Sequence, residues 1–169
     1  KQEGLGIISE ILPRKNYIIR KSVKLSKQSH IIASNIDLTL LLITKDNPST
    51  SLNFIDRFLV TCEAYQIPVI LVFNKIDTYD KDDLSKISEI ESIYKSINYK
   101  CIRISAKYGQ GVNKISNSMQ NKVCLLSGHS GVGKSTLINH INPELELKTK
   151  EISVSHNQGK HTTTYAEMY

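Results

Sequence analysis

The octapeptide Gly128-His129-Ser130-Gly131-Val132-Gly133-Lys134-Ser135 matches Gly-x-x-x-x-Gly-Lys-Ser/Thr, the spacing of a phosphate-binding loop. Glycines at those places let backbone N–H groups converge on phosphate oxygens without Cβ clashes. A helix that starts there adds the partial positive charge of its N-terminus. Lys134 would reach the β- and γ-phosphates and the Ser135 hydroxyl would bind Mg²⁺, with Thr136 completing the candidate phosphate residues. A chance Gly-rich turn is the bland alternative. The apolar strand Val123–Leu126 before the loop and the helical run Ser135–Ile141 after it argue against that alternative.

Phosphate binding does not select a base. Asn74-Lys75-Ile76-Asp77 follows the apolar run Val69–Phe73, where ligands bind in an open α/β sheet. The Asp77 carboxylate can accept from the N1–H and the N2 amine of guanine, a pair that adenine does not supply. Asn74 can satisfy the opposite edge of the purine or tie this loop to the phosphate loop, and the Lys75 stem can cover the ring face. Ser105-Ala106-Lys107 follows a further strand, and the Ala106 amide is expected to donate to guanine O6, where adenine presents an amine. Sites that hydrogen-bond a specific group reject an analogue lacking it by roughly 10⁴–10⁵-fold, because their own polar groups are left unpaired. Either motif alone fits an ordinary polar loop. Three such loops, each after a predicted strand, do not fit chance.

The elements that must position these loops are legible in the hydrophobic pattern. Leu38–Ile43 and Val69–Phe73 are short, nearly continuous apolar runs, as expected of strands covered on both faces. Cys101–Ile104 and Lys122–Ser127 give two more strands. Helical spacing marks Ser51–Tyr65, a stretch carrying Leu84, Ile87, Ile90, Tyr94 and Ile97, a short helix Val112–Met119, and a last helix from Lys134 to Ile141. Strand-helix alternation of this kind predicts a parallel sheet with helices on both faces, an α/β fold. Before residue 36 the pattern differs. Gly6–Leu12 and Tyr17–Arg20 are β-branched runs separated by Pro13-Arg14-Lys15-Asn16, which predicts a hairpin between them in a small β-module.

Charge divides at the same boundary. Residues 1–36 hold seven Lys or Arg against two Glu, a balance of +5, whereas the rest of the chain carries only +1 of the total of +6. The three cysteines, Cys62, Cys101 and Cys124, are far apart, in no Cys-x-x-Cys pair and set among apolar neighbours. They are expected to be packing residues in a reducing compartment rather than zinc ligands or nucleophiles. At 40% hydrophobic and 22% charged, with four Pro and eight Gly, the chain is neither disordered nor collagen-like. No apolar stretch approaches the ~18 residues of a membrane span, and no secretory signal opens the sequence.

The base-reading loops precede the phosphate loop, the reverse of the ordinary GTPase order. A parallel sheet tolerates such a cyclic shift, because strands keep their places while a connection moves. With these loops, Ile11-Leu12-Pro13-Arg14-Lys15-Asn16, Asn35-Ile36-Asp37, Phe54-Ile55-Asp56-Arg57-Phe58-Leu59 and Gly159-Lys160-His161-Thr162-Thr163-Thr164, the sequence resembles the circularly permuted RsgA/YjeQ GTPases over nearly its whole length. Those proteins assist late maturation of the small ribosomal subunit. The resemblance implies that residues 1–36 are the later part of an OB-fold, with Arg14, Lys15, Arg20, Lys21, Lys24 and Lys27 facing rRNA, and that 37–169 form a circularly permuted P-loop GTPase domain. It further implies GTP and GDP binding with Mg²⁺ and GTP hydrolysis by a cytoplasmic, monomeric protein without membrane attachment.

Within that resemblance, Gly159–Thr164 corresponds to the first switch segment. Thr163, rather than Thr162 or Thr164, is the expected Mg²⁺ ligand, and His161 would position the attacking water while Lys134 stabilises the charge that develops. His30, His129, His140 and His156 are given no catalytic role. An Asp-x-x-Gly segment and a C-terminal zinc domain are expected after Tyr169. The chain is therefore expected to be a piece that binds guanine nucleotide and hydrolyses it weakly or not at all. Two other classes remain open: a P-loop ATPase or kinase acting on a small molecule, which Asp77 argues against, and an RNA-binding protein indifferent to nucleotide.

Overall fold

The run Leu38-Thr39-Leu40-Leu41-Leu42-Ile43 is buried at every position, as is Val69–Phe73, and the two lie side by side as the central strands of a parallel sheet. The computed structural model describes residues 8–21, 29–147 and 168–169. In chain order the strands are β1 (Tyr17–Lys21), β2 (Ser29–Ser34), β3 (Leu38–Ile43), β4 (Val69–Phe73), β5 (Lys100–Arg103) and β6 (Cys124–Ser127). The helices are α1 (Leu52–Ala64), α2 (Lys81–Ser96), α3 (Val112–Met119) and α4 (Lys134–Ile141). Four strands form the sheet in the order β5-β4-β3-β6, every neighbour pair parallel.

Alternation along the strands separates two cores. Leu41, Ile43, Leu71 and Phe73 face Ile55, Leu59 and Cys62 of α1 and Ile87 and Tyr94 of α2. Leu40, Leu42, Ile70, Val72 and Ile102 point the other way, onto Val112 and Ile115 of α3 and Leu137 of α4. Two helices therefore cover each face, which is why the central strands need apolar residues at every position rather than every second one. Ile97 does not extend the apolar stripe of α2: it caps the helix and is 57% exposed. Cys62 packs in the first core, and burial pushes its thiol and that of Cys101 up to about 11.

The helix starts differ in a way that matters for the site. Ser51 caps α1 by accepting from Phe54 N–H, and Asp80 caps α2 by accepting from Asp83 N–H at 2.8 Å. α4 begins instead after Gly133, a left-handed residue with no side-chain cap. α3 starts in the same way after Gly111, and a helix start without a side-chain cap is where an anion can be received.

The predicted hairpin is corrected at one strand. β1 pairs antiparallel with β2, from Tyr17↔Ser34 to Lys21↔Ser29 with a register shift after Ile18, and not with residues 8–12, the described part of the expected partner run. Residues 8–12 join no strand, and Ile8, Ile11 and Leu12 are largely exposed. Pro13 has no amide to give a ladder, and β-branched runs do not by themselves choose a partner. The choice is fixed by a tertiary clip. Buried Asn16 donates from Nδ2 to Ile36 O at 2.8 Å and accepts from Ile36 N–H at 2.7 Å, while Asn35 N–H donates to Asn16 O at 2.9 Å. This clip also seats Ile18 and Ile36 in the first core.

Candidate nucleotide site

Because all four strands run parallel, the loops that follow β3, β4, β5 and β6 gather at one edge of the sheet. β4 and β6 flank β3, so at a strand spacing of ~4.8 Å their carboxyl ends lie about 10 Å apart. Asp77 follows one and Lys134 the other.

Asn74 joins three of the segments. Its side chain is almost fully buried, donates from Nδ2 to Val132 O of the phosphate loop at 2.7 Å, and accepts at Oδ1 from Ala106 N–H at 2.9 Å. Of the two roles open to it, the geometry selects the tie between loops. The same bonds correct the expectation for Ala106: its amide is not free to face a base but donates to Asn74. Gly133 makes room for this latch. Its φ is +99°, and a Cβ there would lie 2.3 Å from Asn74 Nδ2.

The phosphate loop is held in shape from inside. Lys134 Nζ donates to the carbonyls of Gly128 and His129, each at 2.8 Å, and burial lowers its pKa from the ordinary lysine value. An ammonium solvated by two carbonyls of its own loop sits close to where phosphate oxygens would arrive. Gly128 presses on β3, where a Cβ would meet Leu42 O at 2.5 Å. The His129 ring packs on Phe54 of α1 with centroids 4.1 Å apart. Burial, and then the Lys134 charge, lower the His129 pKa from the ordinary histidine value.

On the base side, Lys75 adopts a left-handed conformation that turns the chain from β4 into the short 3₁₀ turn Ile76–Thr78. Its Nζ donates to Asn47 O in the β3–α1 loop, and burial lowers its pKa against the opposing pull of Asp77. Asp77 is exposed and accepts no hydrogen bond from the described residues. The loop after β5 is closed by Ser105, which is buried: its N–H donates to Gln110 O at 2.9 Å. Lys107 is exposed, its Nζ 5.1 Å above the Tyr108 ring. The β3–α1 loop is clamped in turn, with Lys45 N–H donating to Tyr79 OH at 2.9 Å and Lys45 Nζ paired with Asp83 at 2.6 Å.

Phe54, Asn47 and Tyr79 thus serve the site without having been singled out for it. Phe54 was legible as a helix residue and as part of a segment that carries the family resemblance, with no role at the site, and neither a backbone carbonyl acceptor nor a distant hydroxyl leaves a sequence pattern. Among the described residues no three His, Cys, Asp or Glu converge as a metal cage. Mg²⁺ held through nucleotide phosphates needs none, and Ser135 in the first turn of α4 is a suitable oxygen donor. His161, Thr162, Thr163, Thr164, Lys24 and Lys27 lie outside the described residues. Arg14 and Lys15 are exposed ahead of β1, Lys15 paired with Asp37 at 3.0 Å, and Arg20 and Lys21 belong to β1.

An open parallel sheet whose carboxyl edge carries a phosphate loop, latched to base-side loops that come earlier in the chain, defines a P-loop nucleotide-binding domain of permuted order. A family model described as RsgA GTPase matches residues 11–169, and the chain belongs to that family. It is 57% identical over 168 residues to the small ribosomal subunit biogenesis GTPase RsgA of Christiangramia forsetii, covering 99% of this chain and 53% of that protein. It is 59% identical over 164 residues to the protein of the same name from Flavobacterium psychrophilum, covering 97% and 50%. The crystal structure of YjeQ from Thermotoga maritima superposes with a TM-score of 0.72 at 40% identity, covering 87% of this chain and 49% of that one. That of YloQ, a circularly permuted GTPase, gives 0.67 at 32%, covering 85% and 47%. The chain therefore spans about half the length of the relatives it matches.

Proposed function

We propose that this chain forms the guanine-nucleotide-binding domain of a GTPase that acts in late maturation of the small ribosomal subunit and contacts its rRNA. The observation that carries the reading is the Asn74 latch, which holds the phosphate loop and the loop after β5 at fixed distances from the Asp77 turn. Asp77 reads N1–H and the N2 amine of guanine, and the Lys75 stem covers the ring. With its amide engaged by Asn74, Ala106 acts by holding the Ser105–Lys107 loop against the base. The amides of Gly128–Gly133 and of the uncapped start of α4 take the phosphates, together with Lys134, Ser135 and Thr136.

Hydrolysis in this reading is in-line attack of water on the γ-phosphate. Lys134 stabilises the charge that develops, and His161 accepts a hydrogen bond from the water. Mg²⁺, when bound through Ser135 and Thr163, supplies further positive charge at the β- and γ-phosphate oxygens. The 1–36 segment serves as the later part of an OB-fold and places Arg14, Lys15, Arg20, Lys21, Lys24 and Lys27 toward rRNA phosphates. The protein works as a cytoplasmic monomer. No described helix is long and apolar enough to cross a membrane.

Changing Asp77 to Asn in the intact protein tests the base reading. An amide in place of the carboxylate presents a donor that suits the C2 oxygen of xanthine. Preference in a competitive titration should move from GTP toward xanthosine triphosphate, with ATP excluded by both forms. Undiminished GTP preference in the variant, or equal affinity of the parent for ATP and GTP, would overturn the reading.

A further inference from the structure

β5 is an edge strand of the parallel sheet, with α2 packed on one face and α3 on the other. Between them runs an open groove of about 890 Å³, lined in part by Lys95, Lys100, Arg103, Lys114 and Lys122 against a single carboxylate, Glu91. That carboxylate is fully engaged. Arg103 donates to it from Nε at 2.8 Å and from Nη2 at 3.2 Å, and Lys95 Nζ lies 2.9 Å from it. Lys100, Lys114 and Lys122 are exposed and form no ion pair with a described residue.

Two of the three bond the same residue. Lys100 Nζ donates to Ser118 Oγ at 3.2 Å and Lys122 Nζ to Ser118 O at 3.0 Å, so two ammonium groups share one serine with no carboxylate between them. Asp37, whose acidity Lys122 influences, already accepts from Lys15 Nζ at 3.0 Å and Val123 N–H at 2.9 Å. Like charges brought together repel, and an anion placed between them relieves the repulsion.

An edge strand also invites an added strand. Here there is little to pair with. Ile104 N–H turns inward to Phe73 O at 2.8 Å, so by the alternation of a parallel ladder Cys101 and Arg103 face outward. The Gly111 backbone closes over Arg103 O, where a Cβ would lie 2.5 Å away, and Gln110 O takes Ser105 N–H. The cations, by contrast, come from the start of β5, from α3 and from the turn before β6, a spread suited to successive phosphates of one backbone. Lys100 opens β5 and Lys122 precedes β6, which puts both at the amino edge of the sheet, away from the nucleotide loops.

We propose that this groove is an RNA-contact surface of the domain, with Lys100, Lys114 and Lys122 taking phosphodiester groups in addition to those met by the basic 1–36 segment. The proposal rests on the ribosomal reading for its choice of RNA. The test is fluorescence anisotropy of a labelled RNA hairpin against the intact protein and its Lys100→Gln/Lys114→Gln/Lys122→Gln variant, over a salt series. Each phosphate contact removed lowers the slope of log K against log salt by about 0.9 for a duplex, so the triple variant should lose roughly 2–3 from the slope. The corresponding triple arginine variant should keep it, and GTP affinity should be the same in all three proteins.

Equal slopes in parent and glutamine variant would overturn the groove while leaving the ribosomal reading intact. No RNA binding by the parent would overturn both. A poly-glutamate peptide bound more tightly than RNA by the parent, and released by the glutamine variant, would reassign the groove to an acidic protein segment and sink the proposal.

Discussion

Asn74 fixes the site by spending both ends of one amide on backbone groups 58 and 32 residues away along the chain. A carboxylate at that position would turn an acceptor toward Val132 O, and an alkyl group would leave a buried carbonyl and a buried N–H without partners. Each such orphan costs about 1–3 kcal/mol. Asn74→Ala is therefore expected to lower stability by about 2–4 kcal/mol in urea unfolding. It should weaken GTP binding more than a surface change does, because the loops after β5 and β6 lose their common anchor. Asp77 is the opposite kind of residue: exposed and hydrogen-bonded to nothing among the described residues.

At the scale of elements, α2 and β5 are joined through Glu91, whose side chain is only 8% exposed and lies against Arg103 and Lys95. Burial works to raise its pKa, but Arg103 and Lys95 outweigh that and hold it below the usual 4.5. A carboxylate with a depressed folded pKa contributes stability that is complete above its unfolded value and is lost as pH falls through the folded one. The stability difference between the parent and Glu91→Gln should thus be full at neutral pH and shrink below about pH 4.5. Urea midpoints measured across that range check it, and a difference that does not change with pH would contradict the ion pair. The uncapped start of α4 expresses the same logic of position. α1 and α2 satisfy their first amides with Ser51 and Asp80, whereas α4, like α3, starts after a left-handed glycine with no side-chain cap, and of the two only α4 follows the phosphate-loop motif.

For the molecule as a whole, the order β5-β4-β3-β6 explains why a permuted chain can keep a nucleotide site. Binding geometry depends on which strand ends are neighbours in the parallel sheet, and the sequence order in which they are connected does not enter. A ligand that bridges the loops after β4 and β6 also clamps the sheet across β3, so binding and folding are linked. GTP or GDP at a hundred times its dissociation constant should stabilise the fold by about 2.7 kcal/mol, and ATP at the same concentration should not. Thermal unfolding with each nucleotide reads this directly. Equal shifts with ATP and GTP would remove base selection from the site.

Periodicity and turn chemistry in the amino-acid order sufficed for the four parallel strands, the four helices and the three loops, because each depends on residues a few places apart. Leu38–Ile43, Val69–Phe73 and Val112–Met119 lie where the apolar pattern puts them. Packing alone decided that Tyr17–Lys21 pairs with Ser29–Ser34, that Asn74 latches loops and takes the Ala106 amide, that Phe54 backs the His129 ring, and that five cations line one groove beside β5 with a single glutamate, which pairs with two of them. Those contacts join groups far apart in the chain. Which donor finds which acceptor is settled only when the sheet brings them within about 3 Å, a distance no local pattern encodes.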